Sequence, residues 1–208
     1  MAEKTLLKIG MCGAGGTGKT TLANLLTDKI SEKFYPSIVR KVMQDRGVTE
    51  AMANQMTPAA MAYLQTCIFE AKVKQDKENP VGLFDRTLID QLTYLSLRCY
   101  STLTQSVYDA FKSTAFINAQ SYDIIFIFPI YSWVGKQDDN FRQEGIFRRE
   151  IWETVASHYI EESRANIHIM KDVDPVLRME AALKIIDYHR TLKKERLANL
   201  ASHTYTQS

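Results

Sequence analysis

Apolar residues follow two rhythms along this chain. Continuous apolar runs at residues 5–12, 81–84, 122–129 and 166–170 are short, rich in Ile, Leu and Phe, and closed by Gly, Pro or charged residues. That pattern predicts strands buried on both faces, as in a parallel sheet. Between them, apolar positions recur every three or four residues, the spacing of a helix with one buried face. Leu22, Leu25, Leu26 and Ile30 form one such set, and Met61, Leu64, Ile68 and Ala71 a second. Leu88, Ile89, Leu92 and Leu95 form a third, followed by a run over about 103–119. Ile151, Val155 and Tyr159 mark a further helix, and the last runs from about Val176 to beyond Arg196. Thr57-Pro58 is an N-cap followed by proline at the first helical position. Phe34-Tyr35-Pro36 reads as a turn, and residues 37–43 read equally as a short strand or a helix start. The alternation predicts an α/β fold: a parallel sheet of about five strands with helices on both faces.

The junction of the first strand and first helix carries the chemistry. Gly13-Ala14-Gly15-Gly16-Thr17-Gly18-Lys19-Thr20 fits the phosphate-loop pattern G-x-x-x-x-G-K-[ST], with Thr21 following, and strand, glycine loop and helix are the context the pattern requires. Glycines let successive backbone N–H groups point inward at anionic oxygens, and the helix start adds its positive dipole end. Lys19 is expected at the β- and γ-phosphates of ATP, and the Thr20 hydroxyl on Mg²⁺. The fold class is therefore a P-loop NTPase.

Composition narrows the picture only a little. With 208 residues, 45% hydrophobic and 24% charged, one packed domain over 1–200 with a flexible tail at 201–208 is expected. The net charge of +2 neither requires nor excludes nucleic acid. Cys12, Cys67 and Cys99 form no C-x-x-C pair and read as reduced, buried thiols of a cytoplasmic protein. Met1-Ala2-Glu3-Lys4 leaves no room for a signal peptide before the first strand. The run 124–130 is far too short to cross a membrane. His158, His168 and His189 lack metal-ligand spacing and read as structural. Arg190, Lys193, Lys194 and Arg196 read as an exposed helix face, with weak support for a nucleic-acid contact. Oligomeric state stays open.

Three uses of a phosphate loop must be separated. A guanine-specific switch needs N-K-x-D, which does not occur. A remodelling ATPase normally ends a hydrophobic strand with Asp-Glu, whereas this chain has Leu83-Phe84-Asp85-Arg86. A small kinase needs an acid at the acceptor or metal, arginines for the transferring phosphoryl and a lid against water. Asp85 ends its strand on the phosphate-loop side of a parallel sheet and serves as base or metal ligand. Arg86 is placed to hold the acceptor. Residues 135–149, with Arg142, Arg148 and Arg149, are the lid candidate, and only one of the last two is expected to reach the site, because adjacent helical residues point about 100° apart. Arg40 is a candidate acceptor contact. The competing reading pairs Asp85 with Arg86 as a structural ion pair.

The stretches 13–21, Phe84-Asp85-Arg86-Thr87-Leu88-Ile89-Asp90 and Asp138-Asp139-Asn140-Phe141-Arg142, with Phe147-Arg148-Arg149, resemble the AAA-type P-loop proteins related to the ribosylnicotinamide-kinase domain. That group is frequent in bacteriophages and similar in layout to thymidylate and deoxynucleoside kinases. The resemblance spans about residues 5–190. It implies transfer from Mg-ATP to a nucleotide- or nucleoside-like acceptor, with Asp85-Arg86-Thr87 at the acceptor and the Asp139–Arg142 segment closing over the phosphates. It also implies adenine between a lid arginine and residues 172–175, and, for a phage-encoded chain, the host cytoplasm. Some related phage enzymes phosphorylate 5-hydroxymethyluracil within DNA, so DNA is a second acceptor class. One departure stands out: where many nucleoside kinases carry an acid after the second strand, this chain has Ser37-Ile38-Val39-Arg40. That counts against a free-nucleoside 5′-hydroxyl and leaves a phosphate acceptor or a base-linked hydroxyl. An ATP-binding switch or ATPase working on a protein or DNA partner is the alternative class.

Overall fold

The computed structural model describes residues 5–130 and 146–204, the latter without the side chains of 146–149 and 201–204. Five strands, β1 (Lys8–Cys12), β2 (Phe34–Tyr35), β3 (Gly82–Asp85), β4 (Ile124–Ile127) and β5 (Ile167–Ile169), form one all-parallel sheet in the order β2-β3-β1-β4-β5. The helices are α1 (Lys19–Thr27), α2 (Ile38–Asp45), α3 (Glu50–Asn54), α4 (Pro58–Glu78), α5 (Leu88–Cys99), α6 (Gln105–Gln120), α7 (Ile146–Ser163) and α8 (Pro175–Thr204). A 3₁₀ turn at Tyr100–Thr102 separates α5 from α6.

Side chains alternate across each strand, so the sheet has two cores. On one face Ile9, Met11, Leu83, Ile124 and Phe126 meet Leu22 and Leu26 of α1 and Ala182 and Ile186 of α8. On the other, Cys12, Phe84 and Ile125 meet α5, α6 and α7 through Leu88, Leu92, Ala115, Trp152 and Tyr159. Helices therefore cover both faces, as the buried strand pattern requires. A third cluster, with Val42, Met61, Leu64, Ile68 and Cys99, packs α2 and α3 on α4. All three cysteines are buried and free. Among the described residues no helix is long and apolar enough to cross a membrane.

Several expectations change. Phe34-Tyr35 is an edge strand, pairing Phe34 with Leu83 and Tyr35 with Phe84. Two residues followed by proline carry no periodicity of their own. Residues 38–45 are helical, which settles the open reading of 37–43. Within α4, Lys72 and Asp76 form a buried ion pair at 2.7 Å, and the Tyr122 hydroxyl donates to Asp76 at 2.9 Å. The basic face of α8 is also partly inward: Arg190 binds the buried Glu32 at 2.5 Å, and Lys193 binds Asp123 at 2.8 Å. His168 and His189, distant in sequence, meet with Nε2 atoms 3.0 Å apart. Burial pushes the pKa of each down. α8 continues to Thr204, into the stretch expected to be tail.

Candidate active site

β1 delivers the chain to residues 13–18, and α1 starts at Lys19. Gly18, the N-cap, has φ 90°, a conformation glycine adopts without strain. A Cβ there would lie 2.7 Å from Arg178 Nη1, so a side chain at this position would also displace that guanidinium. The Thr17 hydroxyl donates to the Ala14 carbonyl at 3.0 Å, drawing the loop onto itself. The first N–H groups of a helix lack intrahelical partners, which makes the start of α1 suited to an anion. Lys19 is buried, and its ammonium donates to the carbonyls of Gly13 at 2.7 Å and Ala14 at 2.6 Å. Burial lowers its pKa to about 8, helped by the like charge of Arg86 and opposed by Asp85 and Asp90.

β3 lies in register beside β1, with Asp85 opposite Met11, so the acid stands next to the mouth of the loop. The Thr20 hydroxyl donates to Asp85 Oδ2 at 3.4 Å. Asp85 Oδ1 is buried and has no hydrogen-bond partner. A hydroxyl beside a carboxylate is a hard-oxygen donor set, the chemistry Mg²⁺ prefers. No three His, Cys, Asp or Glu among the described residues are arranged to cage a metal. The fit is therefore to a magnesium ion held by few protein ligands.

Arg86 has φ 74°, strained for a residue with a side chain, and its N–H donates to the Met11 carbonyl at 3.0 Å. This twist turns the chain sharply out of β3. Its guanidinium lies over the Tyr94 ring, 5.1 Å from the centre, and 3.8 Å from Asp90 Oδ1. Nη1 is buried without a hydrogen bond. Burial works against the charge, but Tyr94, Asp90 and Asp85 more than offset it, so the pKa is raised and Arg86 stays cationic. The ion pair that Arg86 makes is thus with Asp90.

Asp90 and Arg178 were not singled out from the sequence. Asp90 is fully buried. Its Oδ2 accepts the Thr87 N–H at 2.7 Å and hydroxyl at 3.0 Å, while Oδ1 accepts the Gly13 N–H at 3.1 Å. One carboxylate thus fixes both the turn after Asp85 and the first residue of the phosphate loop. Thr87-x-x-Asp90 is a legible capping signature, but the reach to Gly13 is tertiary. Arg178, on the first turn of α8, donates from Nη1 to the Thr17 carbonyl at 3.0 Å. No local pattern marks it.

The remaining expected residues divide. Ala14 and Thr17 are buried in the loop, Gly15 and Gly16 are half-buried, and Thr20 and Thr21 are exposed on the first turn of α1. Arg40 is exposed on α2, lining a surface depression with Met43, Gln44, Val48 and Glu50. Arg142 and most of the 135–149 segment lie outside the described residues. The backbone of Arg148 and Arg149 falls in the first turn of α7, and their side chains lie outside the description.

Comparison with known proteins agrees with this layout. A search of curated proteins finds no match. Among solved structures, deoxyadenosine kinase from M. mycoides aligns with a TM-score of 0.61 at 18% identity, over 88% of this chain and 100% of that one. NadR in complex with NR aligns with a TM-score of 0.62 at 19% identity, over 90% of this chain and 53% of that one. Thymidylate kinase from Candida albicans aligns with a TM-score of 0.55 at 14% identity, over 88% and 93%. These likenesses show a shared P-loop kinase fold. A family model described as AAA domain matches residues 8–175, and the chain belongs to that family.

Proposed function

We propose that the protein is an ATP-dependent kinase, moving the γ-phosphoryl of Mg-ATP onto a nucleotide- or nucleoside-like acceptor. The observation that carries this reading is the Asp85 carboxylate, with one oxygen at Thr20 of the phosphate loop and the other buried without a partner. Buried polar atoms are nearly always satisfied, and exceptions concentrate where a ligand completes the site. In this reading the N–H groups of residues 13–20 hold the phosphates, and Lys19 turns from the Gly13 and Ala14 carbonyls toward them. Thr20 and Asp85 hold Mg²⁺, which when bound neutralises charge on the β- and γ-phosphate oxygens. Arg86, cationic with Nη1 unsatisfied, holds the acceptor. In the same reading Arg142 and Arg148 or Arg149 supply charge from the lid, and Arg40, on α2 after β2, is a further acceptor contact.

A phosphate acceptor suits this site best, since it needs no strong base and Ser37-Ile38-Val39-Arg40 after β2 holds no acid. The presence of deoxyadenosine and thymidylate kinases among similar folds supports a nucleoside- or nucleotide-like acceptor. The test is incubation with γ-labelled ATP and a panel of deoxynucleoside monophosphates, nucleosides, nicotinamide riboside and DNA containing 5-hydroxymethyluracil. Label on a monophosphate is expected. Label only in free phosphate would overturn the kinase reading in favour of an ATPase.

A further inference from the structure

Two histidines 21 residues apart in sequence join the edge of the sheet to the last helix. β5 is an edge strand of three residues, paired only with β4, and Ile167 and Ile169 on it are exposed. The side chain between them, His168, lies 6.4 Å from the Phe126 ring of β4 and brings its Nε2 to 3.0 Å from Nε2 of His189 on α8. The Tyr188 ring packs at a right angle to His189, and both imidazoles are half-buried.

The neighbouring contacts fix where the protons sit. The Asp123 carbonyl can only accept, so the Asn166 side-chain atom 2.7 Å from it is the amide nitrogen. The same nitrogen faces His189 Nδ1 at 3.4 Å and donates to it. His189 therefore carries its proton on Nε2, which donates to His168 Nε2, and His168 carries its own on Nδ1. The relay from Asn166 through His189 to His168 is complete only while both rings are neutral. A proton added to His168 at Nε2 sets N–H against N–H, and one added to His189 at Nδ1 meets the Asn166 amide. The surrounding charges do not reverse this. Asp123 favours a cation at His189, but Lys193 already binds its carboxylate at 2.8 Å, and Arg196 opposes one. Arg190, next to His189, is paired with Glu32 and Asp187.

We propose that His168 and His189 form a pH-sensitive latch, which holds β5 to α8 while both rings are neutral and opens when either takes up a proton. Histidine in an open chain titrates near about 6.5, and burial lowers the pKa of both rings in the closed form. The closed form therefore binds fewer protons, so its advantage is full above that value and lost as pH falls below it. One excluded proton makes opening about tenfold easier between about pH 7.5 and 5.5. The latch does not depend on the kinase reading of the site.

Hydrogen exchange at residues 167–170, corrected for the intrinsic effect of pH, tests the latch. It is measured at about pH 7.5 and 5.5 on the unsubstituted protein, on His158→Gln, whose ring is exposed elsewhere on α7, and on the double variant His168→Gln, His189→Gln. Protection should fall about tenfold at the lower pH in the first two and stay level in the double variant, because glutamine does not titrate. A purely structural pair predicts weaker protection in the double variant with the pH dependence unchanged, and that result overturns the latch. Should the double variant fail to fold, ring NMR of the unsubstituted protein decides. The proton should sit on Nδ1 of His168 and Nε2 of His189, with both rings titrating below about 6.5. Either ring titrating at its ordinary value, or the opposite tautomers, overturns the latch.

Discussion

Replacing Asp90 with Asn removes a charge while keeping the shape, at a carboxylate that accepts three hydrogen bonds. An Asn has one acceptor oxygen in that plane, and its amide group would point N–H at N–H on the other side. If the oxygen stays with Thr87, where two donors converge, the buried Gly13 N–H is stranded. A stranded buried donor costs about 1–3 kcal/mol, and hydrogen bonds to a charged group are worth about 1.5–3 kcal/mol each. Arg86, 3.8 Å away, also loses its counter-charge. A total of about 3 kcal/mol is expected, which for a chain of this size lowers the melting temperature by roughly 6–12 °C. The loop entrance moves with Gly13, so phosphoryl transfer should fall on the order of a hundredfold, the scale of misplacing a reacting group by an ångström. Thermal unfolding and ATP titration on one preparation check both parts. A variant melting within about 2 °C of the parent, with unchanged ATP affinity, would refute the proposed clasp.

Three other outcomes follow from the same geometry. Lys19→Ala should leave the fold intact and slow transfer about a hundredfold or more, the loss of some 3 kcal/mol of transition-state stabilisation; unchanged turnover at saturating ATP contradicts it. With its pKa near 8, Lys19 is charged below that pH and increasingly neutral above it. The folded state therefore binds fewer protons than the unfolded one between about pH 8 and 10.5, so this group's contribution to stability rises with pH across that window. ATP needs the charged form, so binding at pH 8.5 should take up about three-quarters of a proton. Calorimetry in buffers of differing ionisation enthalpy measures that uptake, which should vanish in Lys19→Ala. Arg190→Met leaves Glu32 charged and buried near the amino end of β1, at a cost of about 3–5 kcal/mol. It should lower the melting temperature without changing turnover per folded molecule, and a change in turnover argues against that remoteness.

The legible parts of this molecule are those whose signal is local. β1, the glycine loop and α1 announce themselves within the first thirty residues, and Asp85 follows from standing at a strand end beside them. The all-parallel sheet follows from continuous apolar runs. β2 was not legible, because two residues paired only along one edge leave no period to read. Asp90 was not singled out: the Thr87-x-x-Asp90 spacing could have marked a cap but not a partner of Gly13, since one of its oxygens acts locally and the other across 77 residues. Arg178 carried no signal: a basic residue on the first turn of a helix reads as solvated, and only folding brings it 161 residues back to Thr17. Arg190 and Lys193 misled for the same reason, sitting in a basic run whose inward members find Glu32 and Asp123.

Asp85→Asn tests the central claim most directly, because the account gives that carboxylate a part in the chemistry and none in an ion pair with Arg86. ATP affinity and single-turnover transfer of labelled phosphoryl are measured on the same sample, with its melting temperature. The account predicts ATP binding close to the parent's, held by the loop and Lys19, and transfer at least about a hundredfold slower. A destabilised variant with normal transfer per folded molecule would contradict it and return Asp85 to the scaffold.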